Sequence, residues 1–366
     1  MHFSKLFSLR VYYLTLTIGI LVLYTLSVTL YKTYKYKQMI LKRKACYQFP
    51  NKDDANVDIL DDILNAKVKP VEGRSIFFLM TSCSKKGVIH LTKSQACAIE
   101  SAAFHNPNRN VFVLFASPVN TPTYSQSKHL AVLRSNFTNI YFLNMNLETL
   151  VVGTAVEDFY QSDKLFTSKF LVEHMSDFVR LLVLSKYGGI YLDTDCIVQK
   201  NLDELPANFL AKEAHHGYTI NSVNGAVLGF QDSVGHEILQ FCFEDMMENF
   251  NPTVWNQNGP ALLTRVLESK VCHTSLAEMT PEKCRGFEVF PPEEFYAVNW
   301  DNWQYFINPQ FTNTVLQKTA RSSVIHLWNH TWRNKAIKKS VSEKTAYEAL
   351  AEKNCPKVYE VSGDHL

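Results

Sequence analysis

Between Val11 and Tyr31 the chain carries no charged side chain. At about 1.5 Å of rise per residue, a helix of that length crosses a hydrocarbon layer of about 30 Å. An apolar run this long has three destinations: a bilayer, a cleaved leader or a buried core. A cleaved leader would show a shorter apolar region and a small-residue cleavage site, and neither is visible. The segment therefore reads as a membrane anchor, with signal peptide and core helix as the alternatives. The expected organisation is a cytoplasmic tail over 1–10, a signal-anchor over 11–31, a stem over 32–73 and a luminal catalytic body over 74–366. The stem assignment rests on a stretch rich in Lys, Asp and Asn without a sustained apolar period.

Orientation needs a second argument. Lys32, Lys35, Lys37, Lys42, Arg43 and Lys44 follow the span while Lys5 and Arg10 precede it, and the positive-inside rule alone would leave the body in the cytosol. Two glycosylation sequons, at Asn136 and Asn329, and eight cysteines favour the lumen instead. The cysteines form neither a CxxC pair nor a Cys/His cluster at zinc spacing. Cys83 with Cys97, and Cys272 with Cys284, are close enough in sequence to close short loops.

The 366 residues are 46% hydrophobic, enough for a sizeable core, and Lys+Arg 37 and Asp+Glu 35 nearly balance, for a formal net charge of +2. The hydrophobic content speaks against bulk disorder, and the charge balance gives no reason to expect a nucleic-acid partner.

From Ser75 onward short apolar runs alternate with helical patterns. Ile76–Met80 reads as a strand, Ser94–Phe104 as a helix and Val111–Phe115 as a strand, an order that predicts a parallel α/β unit with its crevice at the strand carboxyl ends. Thr81 and Ser82 would lie in that crevice. A second helix, Ser168–Lys186, stops at Gly188-Gly189, and Ile190-Tyr191-Leu192 starts a buried strand delivering Asp193-Thr194-Asp195 to its far end. Two aspartates separated by one residue at a strand end can share one hard cation, and a diphosphate can complete the shell. On the preceding helix Asp177 and Arg180, at i and i+3, share a face and can pair. They become candidates for sugar hydroxyls and a diphosphate respectively. Asn224-Gly225-Ala226 and Gly259-Pro260 read as tight turns, either ordinary ones or places where backbone comes close to a ligand or another segment, with Asn224 a catalytic candidate. Trp300, Trp303 and Trp328 could stack on sugar faces or fill the core.

Taken together, Ser176-Asp177-Phe-Val-Arg180, Lys186-Tyr-Gly-Gly-Ile-Tyr-Leu-Asp-Thr-Asp195 and Lys200-Asn201-Leu202 resemble the DxD sugar-binding region of the alpha-1,4-glycosyltransferase family. Cys97–Ala103, Asn224–Ala226, Gly259–Arg265, Pro291–Tyr296 and His326–Asn329 agree in order. The resemblance, spanning roughly Ser75 to Cys355, implies a GT-A type Rossmann-like nucleotide-sugar-binding domain and a type II Golgi anchor. It also implies a Mn2+-assisted UDP-sugar site and retention of anomeric configuration. On this basis Asp193, Asp195 and His326 are the expected metal ligands. Thr81, Ser82, Asp177, Arg180, Tyr191, Asp193, Gly259, Pro260, His326 and Trp328 are the expected donor contacts. UDP-galactose or UDP-N-acetylgalactosamine is the expected donor, with UDP-N-acetylglucosamine less favoured, and a glycolipid or glycan the acceptor. Cys196 departs from the pattern, where relatives often carry an aromatic residue.

Two other functions compete. An Asp-x-Asp strand end also opens phosphohydrolases that form an aspartyl-phosphate, but no later acidic pair accompanies it here. A membrane-anchored sugar-binding protein without turnover would tolerate loss of the acids, yet both are present.

Overall fold

The computed structural model describes residues 2–50, 59–84, 87–120, 127–215, 219–332, 335, 337, 339–340 and 342–365. The chain divides into two compact units, Met1–Cys46 and Tyr47–Leu366.

The first unit is one helix, α1 (His2–Lys44). Among the described residues it is the one helix long and apolar enough to cross a membrane, with a window of mean hydropathy 1.9 and none of that window buried. The helix continues through the Lys-rich residues expected to begin the stem, because straight-chain lysines and the absence of Pro or Gly give it no reason to stop.

The second unit opens on β1 (Ser75–Met80), α2 (Lys93–His105) and β2 (Asn110–Phe115). Then come α3 (Lys128–Asn136), β3 (Ile140–Asn144), two short helices α4 (Leu147–Leu150) and α5 (Glu157–Gln161), and α6 (Leu171–Tyr187). β1, β2 and β3 pair in parallel, and β4 (Gly189–Leu192) joins them parallel to β1. Both faces of this sheet are covered, which is why its strands read as unbroken apolar runs. Ile76 and Phe78 pack with Ala98 and Ile99 of α2, while Phe77 stacks on Tyr187 at the end of α6.

Past β4 the chain makes β5 (Cys196–Val198), β6 (Asn208–His215) and β7 (Thr219–Phe230), then α7 (Ser233–Asn249), α8 (Pro260–Val266) and β8 (Glu288–Phe290). It ends with α9 (Thr312–Thr319), β9 (Val324–His326), α10 (Ala346–Asn354) and α11 (Pro356–Val361). The main sheet runs β3-β2-β1-β4-β7-β6-β8, and β5 pairs with β9 in a separate two-stranded sheet. β7 is antiparallel to both β4 and β6. The architecture is thus mixed α/β with a parallel half, as expected.

Four sequence expectations change. The α6 helix begins at Leu171 rather than Ser168, because the Ser168 hydroxyl accepts the Phe170 N–H at 2.8 Å and diverts the backbone. Asn224-Gly225-Ala226 is no turn but lies inside β7. Gly259-Pro260 is a helix start, with Pro260 in the first turn of α8, where a missing N–H costs nothing. Cys97 bridges Cys355, 258 residues away, so no Cys83–Cys97 loop forms, whereas Cys272–Cys284 pairs as its spacing suggests. Within the expected stem, Ile63 and Ala66 are buried in the body and the Ile63 N–H donates to Asn144 O at 2.9 Å.

Candidate functional site

The acidic turn sits where the chain leaves one sheet for another. β4 ends at Leu192, and Asp193 extends the pairing by one bond, its N–H donating to Ala226 O at 2.8 Å. Cys196 N–H then donates back to Asp193 O at 3.0 Å, and β5 departs to pair with β9. That register sets Cys196 opposite His326. A residue 131 positions downstream of Asp195 is thereby brought beside it, with His326 Nε2 at 3.1 Å from Asp195 Oδ1.

Asp195 is held on both oxygens: its Oδ2 accepts the Asn329 N–H at 2.8 Å. Burial opposes its charge, but His326 and the Asn329 N–H more than offset this and hold the carboxyl below its ordinary range. Burial likewise opposes a charged His326, yet the Asp195 carboxylate beside it raises its affinity for a proton. Asp193 Oδ2 lies 4.0 Å from His326 Nε2.

The other oxygen of Asp193 faces α6. It accepts the Tyr191 hydroxyl and lies 3.6 Å from Arg180 Nη2. Arg180 also reaches Asp177 Oδ1 at 3.3 Å, the expected i,i+3 pair, and lies over the Tyr191 ring at 4.6 Å. Its remaining donors go to Gly225 O at 2.7 Å, Ser176 Oγ at 2.9 Å and Ser176 O at 3.1 Å. Arg180 thereby ties three elements, α6, β4 and β7, together around the acids while still lining the cavity. Asp177 is buried, and that burial lifts its carboxyl above the ordinary range although Arg180 pulls the other way. Gly259 packs directly behind it.

These groups open on one cavity of about 650 Å³. Of the expected site residues, Thr81, Ser82, Asp177, Arg180, Tyr191, Asp193 and Asp195 line it, together with Asn224, Pro260, His326, Trp328 and Asn329. The Thr81 hydroxyl donates to Val172 O at 2.9 Å and ties β1 to α6. Trp328 is buried, its indole N–H donating to Val298 O at 2.7 Å. Asn224 donates to Glu213 Oε2 at 2.6 Å and accepts the Ala226 N–H at 2.7 Å.

The two sequons part company. Asn136 is exposed near the end of α3. Asn329 is buried, and its amide nitrogen donates to Ser94 Oγ. A glycan would need that same nitrogen in solvent, so the glycosylation expectation at Asn329 is corrected: its side chain serves the site.

Sequence reasoning missed Glu213 and Ser176 as site residues. A buried Glu213 on β6 becomes visible only through the pairing of Ala211 with Asn224, which brings two strands together over the cavity. Ser176 stood within a quoted motif, but only the helix shows its hydroxyl meeting both Arg180 and Tyr191.

The donor set suits a divalent cation. Ligand atoms of Asp195, Cys196 and His326 lie within 4.8 Å of one another. Burial raises the Cys196 thiol well above its ordinary pKa, and its soft sulfur suits a hard ion less well than carboxylate oxygen does. One carboxylate and one imidazole remain, and the Asp193 carboxylate, 4.0 Å from His326 Nε2, adds a second acid to a set of oxygen and nitrogen donors that fits a hard to intermediate ion.

Residues 92–211 match the glycosyltransferase sugar-binding region containing a DXD motif, and residues 231–362 match the alpha 1,4-glycosyltransferase conserved region. Human (Homo sapiens) lactosylceramide 4-alpha-galactosyltransferase is 33% identical over 274 residues, 74% of this chain and 73% of the relative. Human alpha-1,4-N-acetylglucosaminyltransferase is 29% identical over 289 residues, 78% of this chain and 80% of the relative. Among solved structures, the galactosyltransferase LgtC in complex with donor and acceptor sugar analogs aligns over 79% of this chain and 96% of its own. Its TM-score is 0.39 at 14% identity, a likeness too distant to carry substrate or mechanism. On the strength of the sequence relationship, this chain belongs to the alpha-1,4-glycosyltransferase family.

Proposed function

We propose that the chain transfers galactose or N-acetylgalactosamine, with N-acetylglucosamine less favoured, from a UDP-sugar to a glycosphingolipid or glycan, forming an alpha-1,4 linkage with retention. The observation that carries this reading is the junction of Asp193, Asp195 and His326 on one cavity with Asp177 and Asn224. The relatives act as a galactosyltransferase and an N-acetylglucosaminyltransferase, which supports the reaction class and leaves the sugar to be measured. Family membership displaces the aspartyl-phosphate reading.

Asp193, Asp195 and His326 would hold Mn2+. When bound, that ion supplies positive charge where the diphosphate becomes negative. The protein's own groups do the rest. Asp177 accepts hydrogen bonds from donor-sugar hydroxyls, and Arg180 keeps Asp177 and Asp193 in place while offsetting their charge. Asn224 holds Glu213 at the cavity wall. In the transfer, the bond from the acceptor oxygen to the anomeric carbon forms as the bond from that carbon to the diphosphate oxygen breaks. Attack comes from the face that the diphosphate leaves, and the acceptor proton departs with the diphosphate, so configuration is retained.

In this reading the 11–31 stretch of α1 is a Golgi signal-anchor, with residues 1–10 cytoplasmic, the stem shortened to 32–46 and the body from Tyr47 onward luminal. The deciding experiment is UDP release by the segment from about residue 47 onward with each UDP-sugar, with Mn2+ and with chelator. Turnover that needs the cation supports the reading, and turnover indifferent to chelator overturns the metal assignment.

A further inference from the structure

The mouth of the cavity is built differently from its floor. Two of its lining residues are exposed tryptophans, Trp255 at 45% and Trp300 at 38%. Neither is left there by a loose loop. The turn carrying Trp255 is pinned from beneath by the buried His174 ring, whose Nε2 lies 3.1 Å from both Val254 O and Trp255 O. Buried Asn258 closes the same turn, accepting the Asn251 N–H and donating to Asn251 O, both at 3.0 Å. Edge-to-face contacts then fix the rings: Trp255 meets His330 at 5.3 Å, and Trp300 meets Trp328 at 5.8 Å. Trp328 and His330 belong to the segment that carries His326, so the rim and the acidic centre share one support.

Holding large apolar rings in solvent on buried hydrogen bonds is unfavourable unless something covers them. The electron-rich face of indole favours the C–H bonds that a hexopyranose presents on one side. Glu173 and Asp301 line the same cavity and add carboxylates. They disfavour a nucleoside diphosphate at the mouth through like charge, and they suit a neutral sugar whose hydroxyls donate.

We propose that Trp255 and Trp300 form the acceptor subsite, a stacking platform for the terminal hexopyranose of a neutral glycan acceptor. This rests on the glycosyltransferase reading above.

The test is steady-state transfer to whichever methyl glycoside the unmodified protein uses from a panel of methyl β-lactoside, methyl β-galactoside and methyl β-N-acetylgalactosaminide. Trp255→Ala, Trp255→Phe and Trp300→Ala are compared, with near-UV circular dichroism as the folding check. Loss of one aromatic platform is expected to raise acceptor KM by roughly three- to tenfold. Donor KM should hold within about twofold, and Trp255→Phe should recover most of the loss. An unchanged acceptor KM overturns the subsite. A donor KM that rises as much as the acceptor KM also overturns it, assigning the rings to the nucleotide. Failure of the unmodified protein to release UDP from any UDP-sugar is a different result, and it overturns the glycosyltransferase reading itself.

Discussion

Gly259 and Asp177 pack so closely that a Cβ on Gly259 would lie 2.5 Å from Asp177 Oδ1. A glycine at the start of α8 thus sets the position of a buried carboxylate on α6. Gly259→Ala should push that carboxylate toward the cavity and cost roughly 1–3 kcal/mol of stability. Donor KM should rise by about tenfold or more if the proposed sugar contact is right. Donor titration and urea unfolding on the same variant separate the two effects.

Asp195 is gripped by His326 and the Asn329 N–H, whereas Asp193 is gripped by Tyr191 and Arg180. Asp195→Asn should lower kcat by on the order of a hundredfold or more and weaken Mn2+ binding. Direct Mn2+ titration by electron paramagnetic resonance reads the binding loss without reference to turnover.

Burial lifts the Asp177 carboxyl above its ordinary value of 3.8, against the pull of Arg180. The folded chain therefore keeps a proton that the unfolded chain has already released over the pH range just above that value. Stability from this group is present at low pH and declines as pH rises through the raised value. Asp177→Asn should flatten that decline. Urea unfolding of both proteins in chelator at about pH 4 and about pH 7 tests it, and parallel curves would refute it.

The Cys97–Cys355 bridge ties α2 to the start of α11 and closes a loop of 258 residues. Opening it with Cys355→Ser should cost a few kcal/mol, roughly 2–5, more than opening the Cys272–Cys284 loop. Thermal midpoints of the two variants give the order.

In luminal expression, Asn136→Gln should remove one glycosidase-sensitive mass increment, while Asn329→Gln should remove none. The second variant should still lose activity, because its amide serves Ser94 rather than a glycan.

Much of the site was legible because its parts are local. The apolar strand ending at Leu192, the acids two residues apart and the i,i+3 pair of Asp177 and Arg180 all follow from short-range periodicity. The Asn224 segment was misread because glycine next to asparagine signals a turn on local grounds. Here Gly225 is needed inside a strand, where a Cβ would come within 3.0 Å of Arg180 Nη1. The close approach of another segment was legible, but the conformation, a strand rather than a turn, was not.

The sequence by itself determined the long apolar helix, the alternation of strands and helices, and the presentation of Asp193 and Asp195 at a strand end. Tertiary structure alone decided what those acids meet. β5 leaves the main sheet to pair with β9, and that register sets His326 against Asp195 and buries Asn329 beside it. It likewise brought Cys355 to Cys97 and Glu213 to Asn224. These contacts join residues far apart along the chain, and no local periodicity encodes them: only the packing of whole elements fixes which side chains share a cavity.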